Sequence, residues 1–201
     1  MTNTNAATLS EYDFIVAIDA SGSMGEEDMQ GGRSRWDYMQ ETALSFVRDI
    51  EKFDSDGIDV ITFGGSNIET FTGVTSAKVK EVFASRSPRG STPLAQALTA
   101  ALKAAGKSDK KDFIIVFTDG VPDDKDAAAK VIRDAANKQD ADDALTILFI
   151  QVGRDAAATR YLTDLDDNLK GCKFDIVDAK TMDEAEKFAT TADLILAAID
   201  G

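Results

Sequence analysis

An α/β fold, in which helices cover both faces of a mostly parallel sheet, is predicted by two regularities in this chain. Short runs rich in Ile, Val and Phe recur with little polar alternation, as strands buried on both faces do. Amphipathic helical patterns lie between them. With 201 residues, 43% of them hydrophobic, the chain is long enough to enclose one sizeable core.

Residues 1–10 are polar and aperiodic and are expected to form a flexible tail, leaving 11–201 as the folded domain. The run at 14–18 is the first strand. Trp36, Met39, Ala43, Phe46, Val47, Ile50 and Phe53 follow at steps of three and four, so one helix buries them along a single stripe. Residues 60–71 hold two strand-like pieces around Gly64 and Gly65 with no room for a helix. They predict a hairpin that adds one antiparallel edge strand. A weaker helical signal covers 77–85, and Leu94, Ala97, Leu98, Ala101, Leu102 and Ala105 mark a strong one. Strands at 113–117, 145–152 and 174–177 then alternate with helices at 124–136, 156–169 and 183–199.

Thirty-six acidic against 22 basic residues leave a formal charge of −14. This argues against nonspecific binding to nucleic acid or to an anionic membrane surface. No apolar stretch is long enough to span a bilayer. The start of the chain lacks the basic end and apolar core of a leader. Cys172, the single cysteine, has no partner for an intramolecular disulfide and reads as a small apolar residue. Together these features predict a cytoplasmic, unanchored protein, with a monomer as the default state.

Three turns carry the chemistry. Asp19-Ala20-Ser21-Gly22-Ser23 directly follows the first strand, Gly90-Ser91-Thr92-Pro93 precedes a helix, and Thr118-Asp119-Gly120 follows the strand at 113–117. In open parallel sheets ligands bind beyond the carboxyl ends of the strands, where Asp19 and Asp119 are expected to meet. Asp19, Ser21, Ser23, Thr92 and Asp119 form an all-oxygen donor set suited to a hard cation such as Mg²⁺, with Mn²⁺ and Ca²⁺ as alternatives. Without histidine, zinc chemistry of the usual kind is excluded. Two carboxylates neutralise a divalent ion, and five side chains leave a position for a further ligand, expected to be a carboxylate.

Taken singly, each residue has a plainer reading. Asp often closes turns, and Thr92 beside Pro93 fits a helix N-cap. Glu26-Glu27-Asp28 and Asp123-Asp124-Asp126 read as a solvated loop and an acid-rich helix start. They ring the site with negative charge, so a partner's acid is expected to be flanked by Lys or Arg. Asp164, Asp166 and Asp167 lack the glycine and glutamate of a calcium loop and read as a helix's solvent face.

The three segments, in order and on matching elements, resemble the metal-ion-dependent adhesion site of von Willebrand factor A domains. That resemblance covers the chain from Tyr12 onward and implies a Rossmann-like sheet of order 3-2-1-4-5-6 with one antiparallel edge. It also implies that Ser21, Ser23 and Thr92 contact the ion directly, that Asp19 and Asp119 act through water or as charges, and that a partner protein donates Glu or Asp. Residues 161–169 and 173–178 are similar to the ends of small stand-alone bacterial members of the tellurium-resistance and ATPase-associated type. The function expected is a non-enzymatic, metal-dependent protein-binding module, with a place in an ATPase-associated or stress-resistance assembly. The alternative is a Mg²⁺-dependent phosphohydrolase with Asp19 as nucleophile, although the second Asp of such enzymes is here Ser21. No glycine-rich nucleotide loop follows the first strand.

Overall fold

Six strands form one sheet in the order β3-β2-β1-β4-β5-β6, in a computed structural model that describes residues 7–54 and 57–201. They are β1 (Tyr12–Asp19), β2 (Ile58–Gly64), β3 (Asn67–Val74), β4 (Lys111–Thr118), β5 (Leu145–Gln151) and β6 (Val177–Thr181). All neighbouring pairs are parallel except β2 with β3, which is antiparallel. The expected sheet, with its hairpin edge, is the one observed.

The pleat of β1 shows why the chain needs helices on both faces. Phe14, Val16 and Ile18 point into one core layer, and Ile15 and Ala17 into the other, as a period of two demands. The first layer is closed by α1 (Arg35–Ile50), α2 (Val79–Ala84) and α7 (Thr191–Ile199). Trp36 lies in it, its ring centroid 4.6 Å from that of Phe83. The second layer is closed by α3 (Leu94–Ala104), α4 (Lys125–Ala136) and α5 (Ala156–Asp167). Among the described residues no helix is long and apolar enough to cross a membrane. Of the expected tail, residues 1–6 lie outside the described residues, while Leu9 is fully buried in the first layer.

Two elements differ from their sequence signals. The last strand is Val177–Thr181 rather than 174–177, with Val177 to Thr181 in register with Ile147 to Gln151 of β5. Its sequence VDAKT is polar because it is an edge strand, so hydrophobic density points a few residues too early. The helix expected over 183–199 is two pieces, α6 (Met182–Ala185) and α7. Thr181 and Glu184 form a reciprocal capping box on α6, and Thr190 caps α7 by accepting from the Asp193 amide. Two start signals nine residues apart prescribe two helices.

Candidate functional site

β1 and β4 are adjacent and in register, Ile18 opposite Phe117, so the residues that follow them emerge side by side at the carboxyl edge of the sheet. Asp19 is fully buried there. Its Oδ1 accepts from the Ser21 amide at 2.7 Å and its Oδ2 from the Thr118 hydroxyl at 2.7 Å. Beyond it, the hydroxyls of Ser21 and Ser23 lie 3.2 Å apart, and the Ser23 hydroxyl donates to Asp119 Oδ1 at 2.9 Å. Four of the five expected donors are therefore linked by hydrogen bonds into one buried or half-buried cluster.

A single turn of 3-10 helix, Gly22–Gly25, shapes the first loop, pinned by the fully buried Met24. Ser21 precedes it without using its side chain as a cap, so its hydroxyl is directed to the cluster. Thr92, the fifth residue, is not hydrogen-bonded to the other four. Its loop is tied to theirs through the backbone: Gly22 N–H donates to Gly90 O at 2.9 Å and Arg89 N–H to Ala20 O at 2.9 Å. The Thr92 hydroxyl stands 4.0 Å from where a Cβ on Gly120 would lie, beside the residue after Asp119.

The N-cap reading of Thr92 does not survive. Pro93 occupies the N-cap of α3 and no side chain caps that helix. The Thr92 amide is instead held by Asp123 Oδ1 at 2.9 Å, and Asp123 Oδ2 accepts from the Ser91 hydroxyl at 2.7 Å. Asp123 thus fixes the second loop from the third, while Asp124 caps α4 by accepting from the Ala127 amide. Only the latter is the plain helix-start role expected of that acidic run.

Close approach of backbones sets the loops in place. A Cβ on Gly64 would lie 2.4 Å from Ala20 O, and one on Gly90, whose φ is 78°, would lie 2.6 Å from the Gly65 Cα. Gly90→Ala therefore strains its own backbone and pushes the Thr92 loop away from the hairpin. It is expected to cost at least about 1 kcal/mol in urea unfolding; an unchanged midpoint would refute this packing.

Burial, followed by the negative charge of Asp119, pushes the Asp19 carboxyl up to about 7, against the opposing hydrogen bonds from Thr118 and Ser21. One further residue, which no local motif marks, brings a buried positive charge to the site: Arg35, at the first position of α1 and 7% exposed. Its Nη1 donates to Asp119 Oδ2 at 2.8 Å, its Nε to Asp28 Oδ1 at 3.0 Å, and its Nη2 reaches Asp28 Oδ2 at 2.6 Å and Glu26 at 2.8 Å. Asp28 is held below the ordinary carboxylate range by that guanidinium. Glu26 and Asp28 are thus ion-paired rather than simply solvated. The sequence held one clue, since a cation in the first turn of a helix opposes its dipole.

Among the described residues no group of three or more His, Cys, Asp or Glu side chains is arranged to hold a metal. The cluster at the sheet edge is of another composition: two carboxylates with hydroxyls.

A doubly wound sheet with hydroxyls and carboxylates gathered at its carboxyl edge defines a class of Rossmann-like α/β domain. Residues 14–121, more than half of the chain, match the von Willebrand factor type A domain, and the chain belongs to that family. No curated protein matches the chain. Among solved structures it is similar to the manganese-loaded TRAP protein of Plasmodium vivax, at 16% identity and a TM-score of 0.61, covering 94% of this chain and 74% of that one. It is also similar to the PilB minor pilin of Streptococcus sanguinis (14% identity, TM-score 0.60, 94% of this chain and 60% of that one). A third is the pilus adhesin SpaC of Lactobacillus rhamnosus GG (17% identity, TM-score 0.57, 94% and 30%). This chain therefore spans less than two thirds of the pilin and of the adhesin. At these identities the likeness is one of fold.

The cytoplasmic location expected from sequence is corrected by these relatives, which include a pilin and a pilus adhesin, proteins of the cell surface. A lone cysteine was a poor guide to compartment. A chain with two well-filled core layers has no need of disulfides, which are denser where the core is too small.

Proposed function

We propose that the site binds a divalent cation, Mg²⁺, Mn²⁺ or Ca²⁺, and through it a Glu or Asp side chain of a partner protein. The observation that carries this reading is the linked set Ser21, Ser23 and Asp119 beside the buried Asp19. An all-oxygen set with two carboxylates suits a hard cation. Ser21, Ser23 and Thr92 would hold the ion directly, with Asp19 and Asp119 balancing its charge. The ion supplies an electrophilic point that attracts a carboxylate. Glu27, exposed in the loop above the site, favours a partner acid flanked by Lys or Arg. The segments 161–169 and 173–178 belong to the second half of α5 and its end and to the approach and start of β6, and contribute none of these donors.

The geometry disfavours the phosphohydrolase alternative. Both oxygens of Asp19 are engaged, by Ser21 and Thr118, and the residue is fully buried, so its lone pairs are not presented for attack on a phosphoryl group. No turnover of a generic phosphate ester with Mg²⁺ is expected, and turnover abolished by Asp19→Asn would establish the enzyme instead.

The direct test is titration of Mn²⁺ or Mg²⁺ into wild type, Thr92→Ala, and Ser21→Ala combined with Ser23→Ala. Removing an outer-shell partner alone costs roughly 10–100-fold in metal affinity, so the double substitution is expected to exceed that. Without metal, Thr92→Ala should melt close to wild type, while the double substitution should lose about 2 kcal/mol, since each lost hydroxyl bond is worth about 1 kcal/mol. Wild-type protein that takes up no ion at millimolar concentration would end this reading.

A further inference from the structure

Among the described residues Arg35 is the cation bonded directly to the donor set, and nothing in that set calls for it; Arg86, the other buried arginine at this edge, is spent on the carbonyls of Thr62, Gly64 and Asn67. The Arg35 side chain is 8% exposed, and its guanidinium donates to one oxygen of Asp119 while the Ser23 hydroxyl donates to the other. The two remaining nitrogens go to Asp28 and Glu26. It is also boxed in from behind: a Cβ on Gly153, whose φ is 74°, would lie 2.7 Å from Arg35 Nε. A side chain tethered on three sides is fixed in place, so its charge is a permanent part of the site.

We propose that Arg35 is a positioning residue that sets the site's charge, weakening its hold on a bare divalent ion and leaving that ion more of its positive charge with which to attract a partner's carboxylate. This rests on the metal reading above. With Arg35 present, part of the negative charge of Asp19 and Asp119 that the ion would meet is offset, the guanidinium being shared with Asp28 and Glu26, so a bound ion keeps more of its own positive charge. Without it, two carboxylates would neutralise a divalent ion outright, and the ion would bind more tightly but attract an acid less. Orientation is the competing effect, since Arg35 also steadies Asp119. Charge outweighs it, because Asp119 is 1% exposed and keeps its bond from Ser23. Asp28 and Glu26 dilute the guanidinium charge and so connect the 26–28 loop to the site.

The test is Mn²⁺ titration calorimetry on the full chain as wild type, Arg35→Gln, Arg35→Lys, Asp28→Asn and Glu27→Gln, with thermal melting of each in chelator. Arg35→Gln is expected to bind Mn²⁺ about tenfold more tightly, a charge effect between groups sharing one buried carboxylate. Arg35→Lys, keeping the charge, should stay within about threefold of wild type. Asp28→Asn concentrates the charge of Arg35 on Asp119 and is expected to weaken Mn²⁺ by about threefold more than Glu27→Gln, whose exposed charge is screened. A merely structural Arg35 would lower the melting temperature in Arg35→Gln and leave Mn²⁺ affinity unchanged or weaker, which overturns the proposal. If Arg35→Gln does not fold, equal shifts in Asp28→Asn and Glu27→Gln overturn it. Ion uptake by wild type with no response to Arg35 defeats this inference alone; no uptake by wild type defeats the metal reading as well.

Discussion

Asp119→Ala is expected to destabilise the protein by about 3 kcal/mol in the absence of any metal, before its effect on binding is considered. The substitution strands Arg35 Nη1 in a buried site, and removing one partner of a buried ion pair costs roughly 3–5 kcal/mol because the other charge is left uncompensated. The lower end applies because Asp28 and Glu26 still hold the same guanidinium. Combining Asp119→Ala with Arg35→Met should recover much of that loss, since replacing both members of a buried pair by apolar groups is often nearly neutral. Urea unfolding of the four proteins forms a cycle that isolates the pair. If the single substitution costs less than about 1 kcal/mol, Arg35 and Asp119 do not act as a buried ion pair.

The parts of this structure legible in the sequence share one cause. Strands β1, β4 and β5 are buried on both faces and announce themselves as unbroken apolar runs, Phe113 to Phe117 being the densest. The turn residues Asp19, Ser21, Ser23 and Asp119 were legible because each follows such a run directly. β6 was misplaced because an edge strand satisfies its exposed side with polar residues. Asp123 and Arg35 were missed for a different reason. Their roles depend on partners 31 and 84 residues distant in sequence, Thr92 and Asp119, and no local pattern encodes a contact of that kind. Thr92 shows the converse. Its position before Pro93 suggested a local cap, and the tertiary tie to Asp123 took its amide instead.

Metal-free protein is expected to lose stability as pH rises from about 5 to 7.5, the opposite of what ordinary carboxylates cause. The Asp19 carboxyl sits at about 7 in the fold against 3.8 as the unperturbed value, through burial first and the Asp119 charge second. Between those two values the folded protein holds a proton that the unfolded chain has released, so raising the pH favours unfolding. The contribution is complete below the unfolded value and lost as pH passes the folded one. Each pKa unit corresponds to about 1.4 kcal/mol, which bounds the total loss at about 4 kcal/mol. The chain contains no histidine to titrate in that window, but burial also raises the carboxyls of Asp112 and Asp166 and gives slope of the same sign, so Asp19→Asn is what isolates the share of Asp19. Urea unfolding at a series of pH values in chelator should show the decline, and Asp19→Asn should make it clearly shallower. A divalent ion bound beside the ionised carboxylate would remove the penalty, so millimolar Mg²⁺ is expected to restore stability at pH 7.5 and to do little at pH 5, where proton and ion compete for the same group. A flat or rising profile in chelator would show that Asp19 is already ionised in the fold, and that the buried pair of carboxylates is balanced by Arg35 without help from a proton.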